Sequence, residues 1–141
     1  MMFNPYELLK EQSDIFLGFE ELPGKLRGLY HKDKEATIIL LNKNLNIVER
    51  RCVLTEELAH HFLGHYIGFS CSTYFERLSC HKQEKDALRW AVNNLIPNKE
   101  LKEFIESNPE AEIWDLAEHF WVTEEIARFK ISLAIQRGEI E

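Results

Sequence analysis

Apolar residues recur every three or four positions over most of this chain, which is the spacing of one buried face of an α-helix. Capping residues precede several of these stretches: Asn4 stands before Pro5, Asn46 is followed by Glu49 three residues on, and Thr123 precedes the last stretch. The pattern predicts six helices, at residues 5–16, 47–67, 82–95, 99–108, 112–121 and 124–137. The predicted ends coincide with Gly68, Pro97 and Gly138.

Two short stretches have a different pattern, which is typical of β-strands. Residues 36–41 read Ala-Thr-Ile-Ile-Leu-Leu and are rich in β-branched side chains, and residues 25–31 precede them. The polar residues 32–35 between them predict a hairpin turn. Residues 18–24 and 68–81 are predicted to be loops. Because a two-stranded hairpin is not stable alone, we expect it to pack on the helices or to pair with a further strand.

Composition limits the class of protein. A length of 141 residues predicts one domain spanning residues 1–141. The net charge of −7 disfavours direct binding to nucleic acid or to an anionic membrane. We expect no signal peptide or transmembrane segment, since neither an apolar leader nor a long apolar run is present. The three cysteines have no Cys-x-x-Cys spacing, which favours free thiols in a reducing cytoplasm.

Carboxylates and imidazoles are concentrated on the second predicted helix, at Glu56, Glu57, His60, His61 and His65. Residues four apart are neighbours on a helix, so Glu56 lies next to His60 and Glu57 next to His61. Both side-chain types are ordinary zinc ligands. The run reads Glu-Glu-x-x-His, whereas the zinc motif His-Glu-x-x-His begins with a histidine. The solvated face of an amphipathic helix is an equally good interpretation of these residues alone.

The helix predicted at 82–95 offers a further carboxylate. Glu84, Ala87 and Ala91 share one face, and the two small alanines would let this helix lie close to another. Glu84 would then be presented to that neighbour. A single glutamate on a helix is more often simply solvated, so spacing alone does not connect it to the histidines.

Residues 111–138 have the character of a helix-turn-helix pair. A DNA-reading pair needs basic residues on its second helix, and Arg128, Lys130 and Arg137 are available there. However, Glu124 and Glu125 occupy the positions that would meet the bases. We therefore interpret the pair as structural.

Together, these stretches resemble the ImmA/IrrE family of metallo-endopeptidases. Four segments match in order, and their separation makes the match specific: Gly28 to Asn42, Thr55 to His65, Glu84 to Pro97, and Leu116 to Thr123. The second segment resembles the family's His-Glu-Leu-Gly-His helix, with Ala59 in place of glycine. The third resembles its Glu-x-x-Ala-x-x-Phe-Ala helix, with Trp90 in place of phenylalanine. The resemblance covers nearly the whole chain.

The resemblance implies an α+β fold: a mostly helical, zincin-like domain with a small antiparallel hairpin or sheet packed on the active-site helix. It implies that Glu57 is the general base and that one zinc ion is held by Glu56, His60 and Glu84. The sequence departs from the family at Glu56, where the family has its first histidine. Three alternatives follow: the carboxylate binds the metal, His61 takes its place, or metal binding has been lost.

The function implied by the resemblance is that of a cytoplasmic zinc endopeptidase. Its substrate would be a helix-turn-helix repressor protein, whose cleavage switches on a phage, a mobile element or a stress response. The alternative is a non-catalytic anti-repressor that binds such a protein without cutting it, having lost its metal through Glu56.

Overall fold

The computed structural model describes residues 2–12, 14–70 and 82–140. In this part of the chain, six helices accompany a four-stranded sheet, which confirms the predicted α+β class. The elements in chain order are α1 (Pro5–Lys10), β1 (Ile15–Glu20), β2 (Gly28–Lys32), β3 (Thr37–Asn42), α2 (Ile47–Phe62), β4 (Ile67–Ser70), α3 (Lys82–Leu95), α4 (Asn98–Ser107), α5 (Ile113–Phe120) and α6 (Glu124–Gln136). No helix among these residues has the length and apolar character that crossing a membrane requires.

The sheet has the strand order β1-β3-β2-β4. The predicted hairpin is present as β2 and β3, which pair antiparallel. The sheet is mixed rather than wholly antiparallel, because β1 pairs with β3 in parallel. The prediction of a helix to residue 16 was wrong, since α1 ends at Lys10 and β1 begins at Ile15. The loop predicted at 18–24 was wrong for residues 18–20, which belong to β1, and right for residues 21–24. Pairing with β3, a contact distant in sequence, holds these residues in a strand.

The helix predicted at 47–67 is five residues shorter at its C-terminal end in the structure. α2 ends at Phe62, and Gly64 then adopts a left-handed backbone with φ of 78°, which reverses the chain. Residues 67–70, predicted as helix end and loop, form β4 and pair antiparallel with β2. The rest of the predicted loop, residues 71–81, lies outside the described residues.

α2 lies between the sheet and the other helices, and every residue from Arg51 to His60 is buried. Towards the sheet, Val53, Leu54 and Leu58 pack in one apolar cluster with strand residues. On the other side, Cys52 packs in a second cluster built from α3 to α6. The predicted capping box of α2 is present, because Asn46 and Glu49 bond each other's backbone N–H groups.

A buried arginine joins α2 to the turn between α5 and α6. The guanidinium of Arg51 donates to the carbonyl oxygens of Phe120 (3.0 Å), Trp121 (2.7 Å) and Phe3 (2.8 Å). Trp121 has a left-handed backbone with φ of 57°, which is unfavourable for a residue with a side chain. Burial lowers the pKa of Arg51. The bonds to Phe120 and Trp121 fix the C-terminal helices, and the bond to Phe3 fixes the residues before α1, against the helix that carries the histidines.

We predict that Arg51→Met lowers the free energy of unfolding by about 3 kcal/mol, because three carbonyls, one of them fully buried and two partly buried, lose a charged donor. Urea denaturation would measure it. Arg50→Met is the matched control: Arg50 donates to the carbonyls of Leu45 and Lys43 nearer the surface, where water can replace it, so we expect a loss below about 1 kcal/mol. Equal losses in the two variants would contradict this role for Arg51.

Candidate active site

His60 of α2 and Glu84 of α3 meet in the interior. The Nε2 atom of His60 lies 3.0 Å from Oε1 of Glu84, and the two side chains are 1% and 10% exposed. Ala87 and Ala91, the small residues on the same face of α3, are buried. The structure therefore brings together two of the four candidate residues, on helices that are separated in sequence by β4.

His65 contacts the other ring nitrogen of His60, and the two Nδ1 atoms lie 2.9 Å apart. When His60 carries its proton on Nε2, it donates to Glu84 and accepts from His65. A cation at Nε2 requires the proton on Nδ1, which then donates to His65. His65 can therefore orient His60 in both tautomers. The sequence pattern does not predict this contact, because a helix continuing to residue 67 would not turn His65 back towards His60.

Glu56 lies one helical turn before His60 and is 6% exposed. Its Oε2 atom accepts a hydrogen bond from the hydroxyl of Ser70 at 3.1 Å. Over residues 2–12, 14–70 and 82–140, no three His, Cys, Asp or Glu side chains are grouped as a metal site would require. The structure thus holds His60 and Glu84 as a pair and engages Glu56 with β4.

Three consecutive residues of β4 contact the three candidate metal ligands. A Cβ atom on Gly68 would overlap the imidazole of His60, so only glycine lets the strand pass at this distance. The backbone N–H of Phe69 donates to Oε1 of Glu84 at 3.3 Å. Ser70 donates to Glu56. β4 is therefore one wall of the candidate site. The sequence pattern did not indicate this role, because most of these residues were predicted to form a loop.

Glu57, the candidate general base, is completely buried and faces β2. A Cβ atom on Gly28 would lie 3.2 Å from Cγ of Glu57 and 2.6 Å from Cγ1 of Val53, so the absence of a side chain there makes room for the carboxylate. Gly28 is also the register partner of Ser70. Glu56 and Glu57 thus lie beneath neighbouring positions of β4 and β2.

His61, the alternative to Glu56, has different neighbours. Its Nδ1 atom lies 3.3 Å from the hydroxyl of Tyr30, and its Nε2 atom lies 3.2 Å from Oε1 of Gln12. Burial and then the nearby Lys32 lower the pKa of His61, whereas burial raises the pKa of Tyr30. Because both ring nitrogens are engaged, the geometry favours Glu56 over His61 as a third donor.

The donor set is compatible with a small divalent cation. One imidazole nitrogen and two carboxylates are ordinary zinc ligands, and two carboxylates make a harder set than two histidines. The Nε2 and Oε1 atoms of His60 and Glu84 already face each other in a buried setting. Glu56 accepts from Ser70 through Oε2, and as a carboxylate it has a second oxygen that could bind the ion.

Comparison with known proteins identifies the family of this chain. The M78 peptidase family, described as the IrrE N-terminal-like domain, matches residues 10–132. The chain therefore belongs to this family of metallopeptidases, for which a bound metal is implied. It is also 30% identical over 131 residues to "Uncharacterized immunity region protein 2" of Bacillus phage phi105. This alignment covers 90% of the chain and 78% of the phage protein. No solved structure matches the chain.

We predict that Gly68→Ala costs about 2 kcal/mol of stability in metal-free protein, because the added methyl group overlaps the His60 ring. In a His60→Ala background the same change should cost less than about 1 kcal/mol, since the ring is gone. Urea denaturation of the unaltered chain, the two single variants and the double variant gives the free energies of this double-mutant cycle. If the costs of the two substitutions were additive, the close packing of Gly68 on the His60 ring would be contradicted.

Proposed function

We propose that this chain is a zinc-dependent endopeptidase that cleaves a helix-turn-helix repressor and so derepresses a phage, a mobile element or a stress response. The observation that supports it most is the buried His60–Glu84 pair, because it joins an imidazole and a carboxylate from two helices in a member of a metallopeptidase family. The proposed setting is the cytoplasm, and the proposed working unit is the whole chain as one domain.

In this proposal, Glu56, His60 and Glu84 hold one zinc ion. A bound zinc would polarise the scissile carbonyl and make water a better nucleophile. Glu57 takes the proton from the attacking water and passes it to the leaving amine. His65 positions the ring of His60 through the bond between their Nδ1 atoms.

The nature of the substrate is supported by the phage relative and by charge. The relative's name places it in the immunity region of a phage. The chain has a net charge of −7, which complements a basic DNA-binding protein. A repressor is therefore the proposed partner, and no direct contact of this chain with nucleic acid or with a membrane is part of the proposal.

A second candidate function is that of an anti-repressor that binds without cutting. Two observations favour it: a glutamate stands where the family has a histidine, and this Glu56 is bonded to Ser70. In that case the polar cluster would be structural, and derepression would need only the protein–protein contact.

The variant Glu57→Gln separates the two functions. In cells carrying the repressor and a reporter gene, we expect the variant to lose repressor cleavage by about 100-fold or more and to leave the reporter silent, because a general base is missing. Immunoblotting and reporter output measure the two effects. Glu20→Gln, an exposed change on β1, is the control and should behave as the unaltered chain. Reporter activation by Glu57→Gln with intact repressor would establish the binding function instead.

A further inference from the structure

An apolar groove opens between α4, α5 and α6, away from the candidate site. It has a volume of about 280 Å³. Its walls carry five isoleucines that are at least partly exposed: Ile105, Ile113, Ile131, Ile135 and Ile140. Ile135 alone is 51% exposed. We call this the isoleucine groove.

A second depression adjoins the groove and is acidic. It has a volume of about 600 Å³ and shares Phe104 and Asn108 with the isoleucine groove. Glu110, Asp115 and Glu118 line it. We call these three residues the acidic rim.

The charge of this surface is of one sign. None of the residues lining the groove or the adjoining depression is lysine or arginine. Asp115 accepts a bond from the backbone N–H of Glu112, but within the described part of the chain neither Glu110 nor Glu118 has an ion-pair partner. Two carboxylates next to an apolar surface are thus available for cations from outside.

We propose that this surface docks an amphipathic segment of a basic protein, with apolar side chains in the isoleucine groove and lysine or arginine over the acidic rim. The inference rests on the proposed function in one respect: the basic protein is taken to be the substrate. A second copy of this chain fits less well, because symmetric docking would bring two acidic rims together. The groove would hold the partner while another part of it reaches His60 and Glu84.

The position of the isoleucine groove in the fold is compatible with docking a protein partner. α4, α5 and α6 supply none of the candidate metal ligands, so a partner on these helices leaves the site open. The end of α5 is nevertheless fixed to α2 by the bonds from Arg51 to Phe120 and Trp121. The docking surface and the candidate site are thus held in one arrangement.

Fluorescence anisotropy of labelled peptides on the full-length chain tests the proposal. The probe is a helix-forming peptide of about 18 residues with leucine on one face and lysine on the other; the comparison peptide has glutamate in place of lysine. We expect the lysine peptide to bind at least about tenfold more tightly. The double variant Glu110→Lys/Glu118→Lys and the single variant Ile135→Glu should each weaken its binding by about tenfold or more.

Matched controls separate the groove from general charge and apolar surface. Glu20→Lys/Glu35→Lys makes the same change in net charge at exposed positions near the sheet, and Ile47→Glu alters an isoleucine that is 67% exposed on α2. Both should bind the lysine peptide within about twofold of the unaltered chain. Far-ultraviolet circular dichroism confirms that each variant is folded.

Three results would overturn the proposal: unaltered binding by the groove variants, equal weakening in the controls, or equal binding of the two peptides. Dimerisation that Ile135→Glu abolishes, seen by sedimentation, would also overturn it by assigning the groove to a second copy. The binding and sedimentation measurements depend on neither a bound metal nor peptide cleavage. Failure of the proposed peptidase activity would therefore leave the docking result standing, and the reverse also holds.

Discussion

Polar partners for the buried side chains of α2, above all Glu84 for His60, allow a polar helix to occupy the middle of this molecule. Ten consecutive residues of α2 are buried, and five of them are polar or charged: Arg51, Thr55, Glu56, Glu57 and His60. A buried polar group without a partner costs about 1–3 kcal/mol, so the neighbours of α2 are constrained by polar complementarity as well as by apolar packing. α3 provides Glu84 for His60, β4 provides Ser70 for Glu56, and the α5–α6 turn provides two carbonyls for Arg51.

A metal in the candidate site would replace the direct contact between His60 and Glu84, whereas the bonds from β4 to the two glutamates could remain. Glu84 accepts from His60 and from the backbone of Phe69, and Glu56 accepts from Ser70. In the proposed enzyme, these bonds keep the ligands ordered before the ion binds, and β4 is both an edge of the sheet and a wall of the site. In the alternative, a protein that binds the repressor without cutting it, the same bonds would only stabilise the fold. The affinity of this cluster for metal therefore distinguishes a metal centre from a purely structural polar cluster.

Local signals in the sequence predicted the helices and their caps well, but not the strands that need distant partners. The Asn46–Glu49 box, the cap at Thr123 and the helix 82–95 depend on residues a few positions apart, and the structure has all three. β1 and β4 depend on β3 and β2, which are distant in sequence, and both were missed. Because most of β4 was predicted as a loop, the contacts of Gly68, Phe69 and Ser70 with the candidate ligands could not be foreseen. The isoleucine groove likewise depends on how three helices pack, and no single helix pattern shows it.

Elemental mass spectrometry of the purified chain tests whether His60 and Glu84 form part of a metal site, as we propose. The measurement compares the unaltered chain with Glu84→Ala and with Asp86→Ala, a control on the same helix whose carboxylate bonds Lys82 and Arg89 instead. We expect close to one zinc per chain in the unaltered protein and in Asp86→Ala, and a loss of zinc in Glu84→Ala. An unaltered chain without metal after zinc has been supplied, or full retention of zinc by Glu84→Ala, would contradict this proposal.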